Sequence, residues 1–196
     1  MTEKNQQNIS TKDLLKKAFV DLYLKKPLKK ISVNELADTC HISRSTFYLY
    51  YTDIYALLSD LEDTFLDGVM TLNVSVILEA LKRKPQPESY TVPYANMLKY
   101  ITDNSKIFRV LMNGSESMRF RKKYLQKIRK NVISMFEIDR KAPESLWNLS
   151  CAFHAGGVIA LFEAWLDEDF KSDPVEVASI VYKALFIGLL NPLEHN

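Results

Sequence analysis

The run Arg44-Ser45-Thr46-Phe47-Tyr48-Leu49-Tyr50 carries the most chemistry per residue in this chain. A guanidinium is a planar fork that can grip the O6 and N7 of a guanine. The hydroxyls of Ser45, Thr46 and the tyrosines can reach phosphate oxygens, and the threonine methyl can pack on a thymine. Ser43 immediately precedes the run and Ser32 lies upstream of it. Ser32 is placed to cap a helix and to point backbone donors at a phosphate. Tyr48 and Tyr50 admit a second role, packing within a small module, although Phe47 and Tyr51 suit that core better. The chemistry is nucleic-acid recognition, with Ser32, Ser43, Arg44, Ser45, Thr46, Tyr48 and Tyr50 as its candidate residues.

Such side chains work only if short helices present them. Leu14, Leu15, Ala18, Phe19, Leu22 and Tyr23 recur at helical spacing from Ser10 onward, and Pro27 closes that helix. Ser32-Val33-Asn34-Glu35 has the form of a capping box, which predicts a second short helix. His41-Ile42 makes a turn, and Ser43 caps a third helix ending near Tyr50. Two short helices at a steep angle, the second polar and aromatic, match the geometry that enters a DNA major groove.

Bulk composition is quieter. The 196 residues hold 26 Lys/Arg against 24 Asp/Glu, a formal charge of +2, so overall electrostatics do not announce a polyanion partner. Residues 1–60 hold nine basic and seven acidic side chains. With 47% hydrophobic residues there is ample material for a core. Five glycines and seven prolines are few for an all-β chain, and no strand pattern is present. Two cysteines, Cys40 and Cys151, suggest no disulfide framework or four-ligand metal site. Cys40-His41 has no partner ligand nearby in sequence. No signal-peptide core or run of the ~18–20 apolar residues of a membrane span is visible, so a cytoplasmic protein is expected. No nucleophile elbow, phosphate loop, His-Glu-x-x-His or dinucleotide fingerprint is found, so neither an enzyme nor a cofactor is expected.

The fold class is expected to be all-α with about nine helices. A three-helix helix-turn-helix module would span 1–52 and a helical bundle 53–196. Thr52-Asp53 opens a long fourth helix through Leu57, Leu58, Leu61, Phe65 and Val69. Lys82 to Glu88 reads as a loop. Helices follow over Val92–Asp103, Ser105–Met112 and 117–138, then after Pro143 and after Asp173-Pro174. Arg119, Arg121, Lys122, Lys123, Lys127, Arg129 and Lys130 read as a solvated basic face, ahead of a second nucleic-acid surface.

Met97, Tyr100, Phe108, Met112, Tyr124, Met135, Trp147 and His154 offer an aromatic- and methionine-rich interior suited to an apolar ligand. They suit an ordinary helical core equally. Ala155, Gly156, Gly157 and Ala160 cluster mid-helix, where each glycine costs about 1 kcal/mol against alanine. A close helix–helix approach, between subunits or within one, would offset that cost.

The segment Ile31, Ser32, Leu36-Ala37, Ile42-Ser43, Thr46-Phe47-Tyr48 and Tyr50-Tyr51 resembles the N-terminal signature of the tetracycline-repressor (TetR) family of bacterial regulators. The likeness covers about residues 10–60. His41 stands where that family has a glycine at a turn, and Ile54 where it often has a phosphate-touching lysine. The run from Phe153 to Ala160, with Trp165-Leu166 and Asp173-Pro174, is similar to the last two helices of a common C-terminal subtype. Those helices form a four-helix bundle with a second subunit. The resemblance implies a dimer interface through Phe153, Gly156, Gly157, Ala160, Ile180, Ala184 and Gly188. It also implies a homodimeric, ligand-responsive repressor with a palindromic double-stranded DNA operator and a small-molecule effector. The alternative is a protein-interaction module of the same fold that has lost direct DNA binding.

Overall fold

The computed structural model describes residues 10–71, 88–136 and 144–186. Side chains at some helical positions, Met135, Trp147 and His154 among them, lie outside the description.

Among the described residues the chain is all-α. Helix α1 (Thr11–Tyr23) begins where the Ser10 hydroxyl accepts from Asp13 N at 3.2 Å. A 3-10 turn (Leu28–Lys30) follows Pro27. Helix α2 (Val33–Thr39) is capped by Ser32, whose hydroxyl accepts from Glu35 N at 3.2 Å. Only half of the expected capping box forms, because the Glu35 carboxylate turns to Lys26 Nζ at 2.6 Å. Helix α3 (Arg44–Tyr48) is shorter than the sequence suggests, with Leu49 and Tyr50 in the turn that leaves it.

Helix α4 (Ile54–Thr71) starts at an Asp53 cap, Oδ1 accepting from Ala56 N at 2.7 Å. Then come α5 (Glu88–Asp103), α6 (Ser105–Asn113), α7 (Ser117–Phe136), α8 (Glu144–Asp167) and α9 (Pro174–Phe186). Helix α5 begins four residues before the expected Val92, so Glu88 is helical; the rest of the expected loop lies outside the described residues. Pro174 occupies the first turn of α9 and Asp173 Oδ1 accepts from Val175 N at 2.7 Å, as its Asp-Pro signal requires.

One apolar cluster runs from Leu15 and Phe19 in α1 through Phe47, Leu57, Leu61, Phe65 and Phe108 to Phe162, Trp165 and Val181. Helix α4 contributes to it from end to end. Helix α1 packs on α2 and α6, α5 on α9, and α7 on α8. The helix-turn-helix is therefore seated directly on the bundle. Tyr23 Oη lies 3.3 Å from Ser115 Oγ and Lys106 Nζ donates to Asp21 at 3.3 Å. Gly114 makes this seat possible, since a Cβ there would lie 2.4 Å from the Tyr23 hydroxyl.

The basic run on α7 is not the solvated face its composition suggests. Arg119, Lys123 and Lys127 recur every four residues and meet Glu62, Asp63 and Asp67 of α4. Glu62 is wholly buried, held by Arg119 Nε at 3.1 Å and Lys123 Nζ at 3.1 Å. Arg121 pairs with Glu163 of α8. Lys122 and Lys130 remain exposed. Sequence periodicity registered the cations but not the acidic stripe, more than fifty residues away, that neutralises them.

Candidate functional site

The helix-turn-helix is rigid because its turn and its core are both fixed. His41 adopts φ 54°, the left-handed conformation that a glycine would take at little cost. His41 N donates to Asp38 O at 3.1 Å and Ile42 N to Ala37 O at 3.0 Å, closing α2. Cys40 is buried beside the turn, where desolvation pushes its thiol above the ordinary range. The turn then releases the chain at Ser43, which caps α3.

Helix α3 divides cleanly. Phe47 is fully buried and Tyr51 nearly so, confirming them as core members. Arg44 and Ser45 are exposed, Thr46 is half-buried, and Tyr48 and Tyr50 are exposed. Tyr48 still leans edge-on against Phe47, with ring centroids 5.5 Å apart. Ser32 and Ser43 are exposed caps. The Ser43 hydroxyl accepts from Thr46 N at 3.0 Å and shares hydrogen bonds with Ser45 Oγ at 2.7 Å and Thr46 Oγ1 at 2.8 Å. These hydroxyls thus support one another at the start of α3, leaving Arg44 as the exposed cation of the helix.

Ile54 does not belong to this surface. It is buried in the core at the start of α4, and the exposed side chain beside it is Tyr55. Tyr51 anchors the end of α3 to α4 by donating its hydroxyl to Asp60 Oδ2 at 2.7 Å. Burial and the Asp60 hydrogen bond and charge, with a smaller contribution from Asp13, raise the Tyr51 phenol above its ordinary value. Burial pushes the Asp60 carboxyl upward. Hydrogen bonds from Tyr51 and Lys16 and the charges of Lys16 and Lys12 outweigh it, leaving the carboxyl lowered.

The expected ligand residues separate. Among the described residues the aromatic cluster leaves a small cavity, and Met97, although buried, is not in its lining, nor is Tyr100. Phe108, Met112 and Tyr124 do line it, together with Phe65, Phe120, Phe162 and Arg121. The cavity measures about 10 Å³, room for about one water. Burial raises the Tyr124 phenol, with Tyr94 adding to the shift, so it stays a neutral hydroxyl there.

The small-residue cluster splits in the same way. Ala155 faces the core, while Gly156, Gly157 and Ala160 are exposed. Among the described residues no atom lies within 4 Å of a Cβ built on either glycine, so no close approach among them accounts for the pair. Phe153 is 79% exposed, and Leu149, Ile180 and Ala184 are exposed on the same two helices, α8 and α9. Gly188 lies outside the described residues.

Residues 93–186 match a family described as a transcriptional regulator C-terminal region, of TetR type. The chain is 22% identical over 176 residues to the uncharacterized HTH-type transcriptional regulator YxbF of Bacillus subtilis (strain 168). That match takes in 86% of this chain but 43% of YxbF, so the chain spans less than half of that relative. Among solved structures it resembles the dihydroxyacetone kinase operon activator DhaS, with TM-score 0.62 and 19% identity, over 94% of this chain and 98% of DhaS. It resembles the fatty acid degradation regulator FadR of Bacillus halodurans, with TM-score 0.63 and 16% identity, over 96% and 98%. It also resembles FadR of Bacillus subtilis in complex with stearoyl-CoA, with TM-score 0.61 and 17% identity, over 90% and 98%. No helix among the described residues is long and apolar enough to cross a membrane.

Proposed function

We propose that this chain, a TetR-family transcriptional regulator, binds a palindromic operator as a homodimer and is released by a small molecule, acting as a repressor. The exposed face of α3 carries the reading. Arg44, Ser45, Tyr48 and Tyr50 stand out from a module whose apolar side chains, Phe47 and Tyr51, are packed beneath them. Ser32 and Ser43 are the caps that would approach phosphates at the groove edge. A five-residue helix reads few base pairs, and two copies related by a two-fold axis read a half-site each, about one helical turn apart.

The exposed apolar strip on α8 and α9 supports the dimer. Phe153, Gly156, Gly157, Ala160, Ile180 and Ala184 would join a second copy in a four-helix arrangement, the bare glycines allowing close backbone approach. The effector would enter the aromatic cluster around Phe65, Phe108, Tyr124 and Phe162, whose small cavity must widen to admit it. An apolar body suits that lining. Release follows if the effector binds better to a dimer whose modules stand at a different spacing. Helix α4, packed at its start on the module and at its end in the bundle, is the element that would transmit the change.

The test is a paired variant, Arg44→Ala with Tyr48→Ala. Specific DNA binding is expected to vanish while the dimer persists. A variant that loses its dimer instead would remove those residues from the DNA face.

A further inference from the structure

We infer that Leu49 reads the C5-methyl group of a thymine in the operator's major groove. This rests on the DNA-binding reading above. Leu49 is 81% exposed, the most exposed large apolar side chain among the described residues. Of the other leucines of the first four helices, Leu15, Leu36, Leu57, Leu58, Leu61 and Leu66 are buried, Leu22 is partly buried and Leu14 is 36% exposed, less than half the exposure of Leu49.

Its exposure is not that of a loose end. Leu49 is the C-cap of α3, with helical dihedrals, and its N–H donates to Ser45 O at 3.2 Å and Thr46 O at 3.3 Å. Tyr50 N and Tyr51 N both return to Phe47 O, at 3.0 and 3.1 Å. The buried rings of Phe47 and Tyr51 lie on either side of it in sequence, and Tyr51 is tied to Asp60. The backbone is thus fixed before any partner arrives, so presenting the side chain carries little ordering cost.

The neighbours define what Leu49 can meet. It follows Ser45 by one helical turn and is flanked by exposed Tyr48 and Tyr50. The Ser43, Ser45 and Thr46 hydroxyls are already engaged with one another. Beyond Arg44 and the hydroxyls of Tyr48 and Tyr50, the tip of the recognition element is therefore apolar and aromatic, and Leu49 is its exposed aliphatic side chain. In the major groove the apolar feature of a base pair is the thymine methyl, which no other base carries.

Deoxyuridine lacks only that methyl, and this makes the inference testable. The full-length protein is titrated with operator DNA recovered from a random pool, with each half-site thymine replaced in turn by deoxyuridine. At one position per half-site, affinity is expected to fall roughly fourfold, the scale of one methyl-sized apolar contact. Leu49→Ala should bind thymine and deoxyuridine DNA equally at that position, while Leu49→Met should keep the preference. A wild-type protein indifferent to every replacement, or a Leu49→Ala variant keeping the same thymine preference, would overturn the assignment and leave DNA binding intact. A protein that selects no DNA would instead remove the parent reading along with it.

Discussion

The buried carboxylate of Glu62 accepts from Arg119 Nε at 3.1 Å, joining the middle of α4 to the start of α7. Lys123 approaches the same carboxylate at 3.1 Å and reaches Asp63 at 2.8 Å. A charge buried this deeply depends on its partners. Removing both cations, by Arg119→Ala with Lys123→Ala, leaves Glu62 uncompensated and should cost about 3–5 kcal/mol, more than the two single changes combined. Urea unfolding of the four proteins of that cycle measures it.

Gly68 faces Tyr100 where α4 meets α5. A Cβ on Gly68 would lie 2.2 Å from the tyrosine hydroxyl and 2.3 Å from its Cζ. Gly68→Ala should therefore cost about 1–3 kcal/mol by overpacking. Combined with Tyr100→Ala, its added cost should largely disappear, which thermal or urea unfolding will show.

His41 holds its turn at φ 54°. His41→Gly relieves the left-handed strain but loosens the unfolded chain, so it should be neutral or stabilising by up to ~1 kcal/mol. His41→Val, branched at Cβ, should destabilise by more than about 1 kcal/mol. Denaturant midpoints of both variants decide the point.

Tyr51 and Asp60 give the module opposite pH limits. The Asp60 carboxyl is lowered in the fold, so its contribution is complete above the unfolded value near ~4 and fades as pH falls through the folded one. The Tyr51 phenol is raised, so its contribution is complete below ~10 and fades as pH climbs toward the folded value. Asp60→Asn should flatten the acid limb of stability against pH, and Tyr51→Phe the alkaline limb. Circular dichroism melts across that range read both.

Phe153→Asp places a carboxylate in the centre of the proposed dimer face. Because Phe153 is 79% exposed in the chain, the fold should tolerate it. Sedimentation should show monomer with unchanged helicity, and operator affinity should fall by at least about 100-fold as the second half-site is lost. A variant that remains dimeric would move the interface elsewhere.

The sequence made the helix-turn-helix legible because its signals are local. Ser10, Ser32, Ser43 and Asp173 cap helices within three residues of themselves, and the His41 turn is set by a single dihedral. Glu35 shows the limit: its box partner was one choice, and Lys26, nine residues back, was the one taken. The α4–α7 ion pairs span about sixty residues and could not be read from α7 alone. Ile54, marked by motif position for a surface role, belongs to the core because α4 turns that face toward the module. Leu49 is not legible as a contact residue, because an isolated leucine between tyrosines carries no periodic signal.

Fluorescence anisotropy gives the sharpest test of operator recognition. The purified protein is titrated with DNA from upstream of its own gene and with a scrambled control, across a salt series. The expected result is preferential binding to the upstream DNA that weakens steeply as salt rises. Absence of binding to either DNA at low salt would contradict the account and favour a regulator that acts through a protein partner.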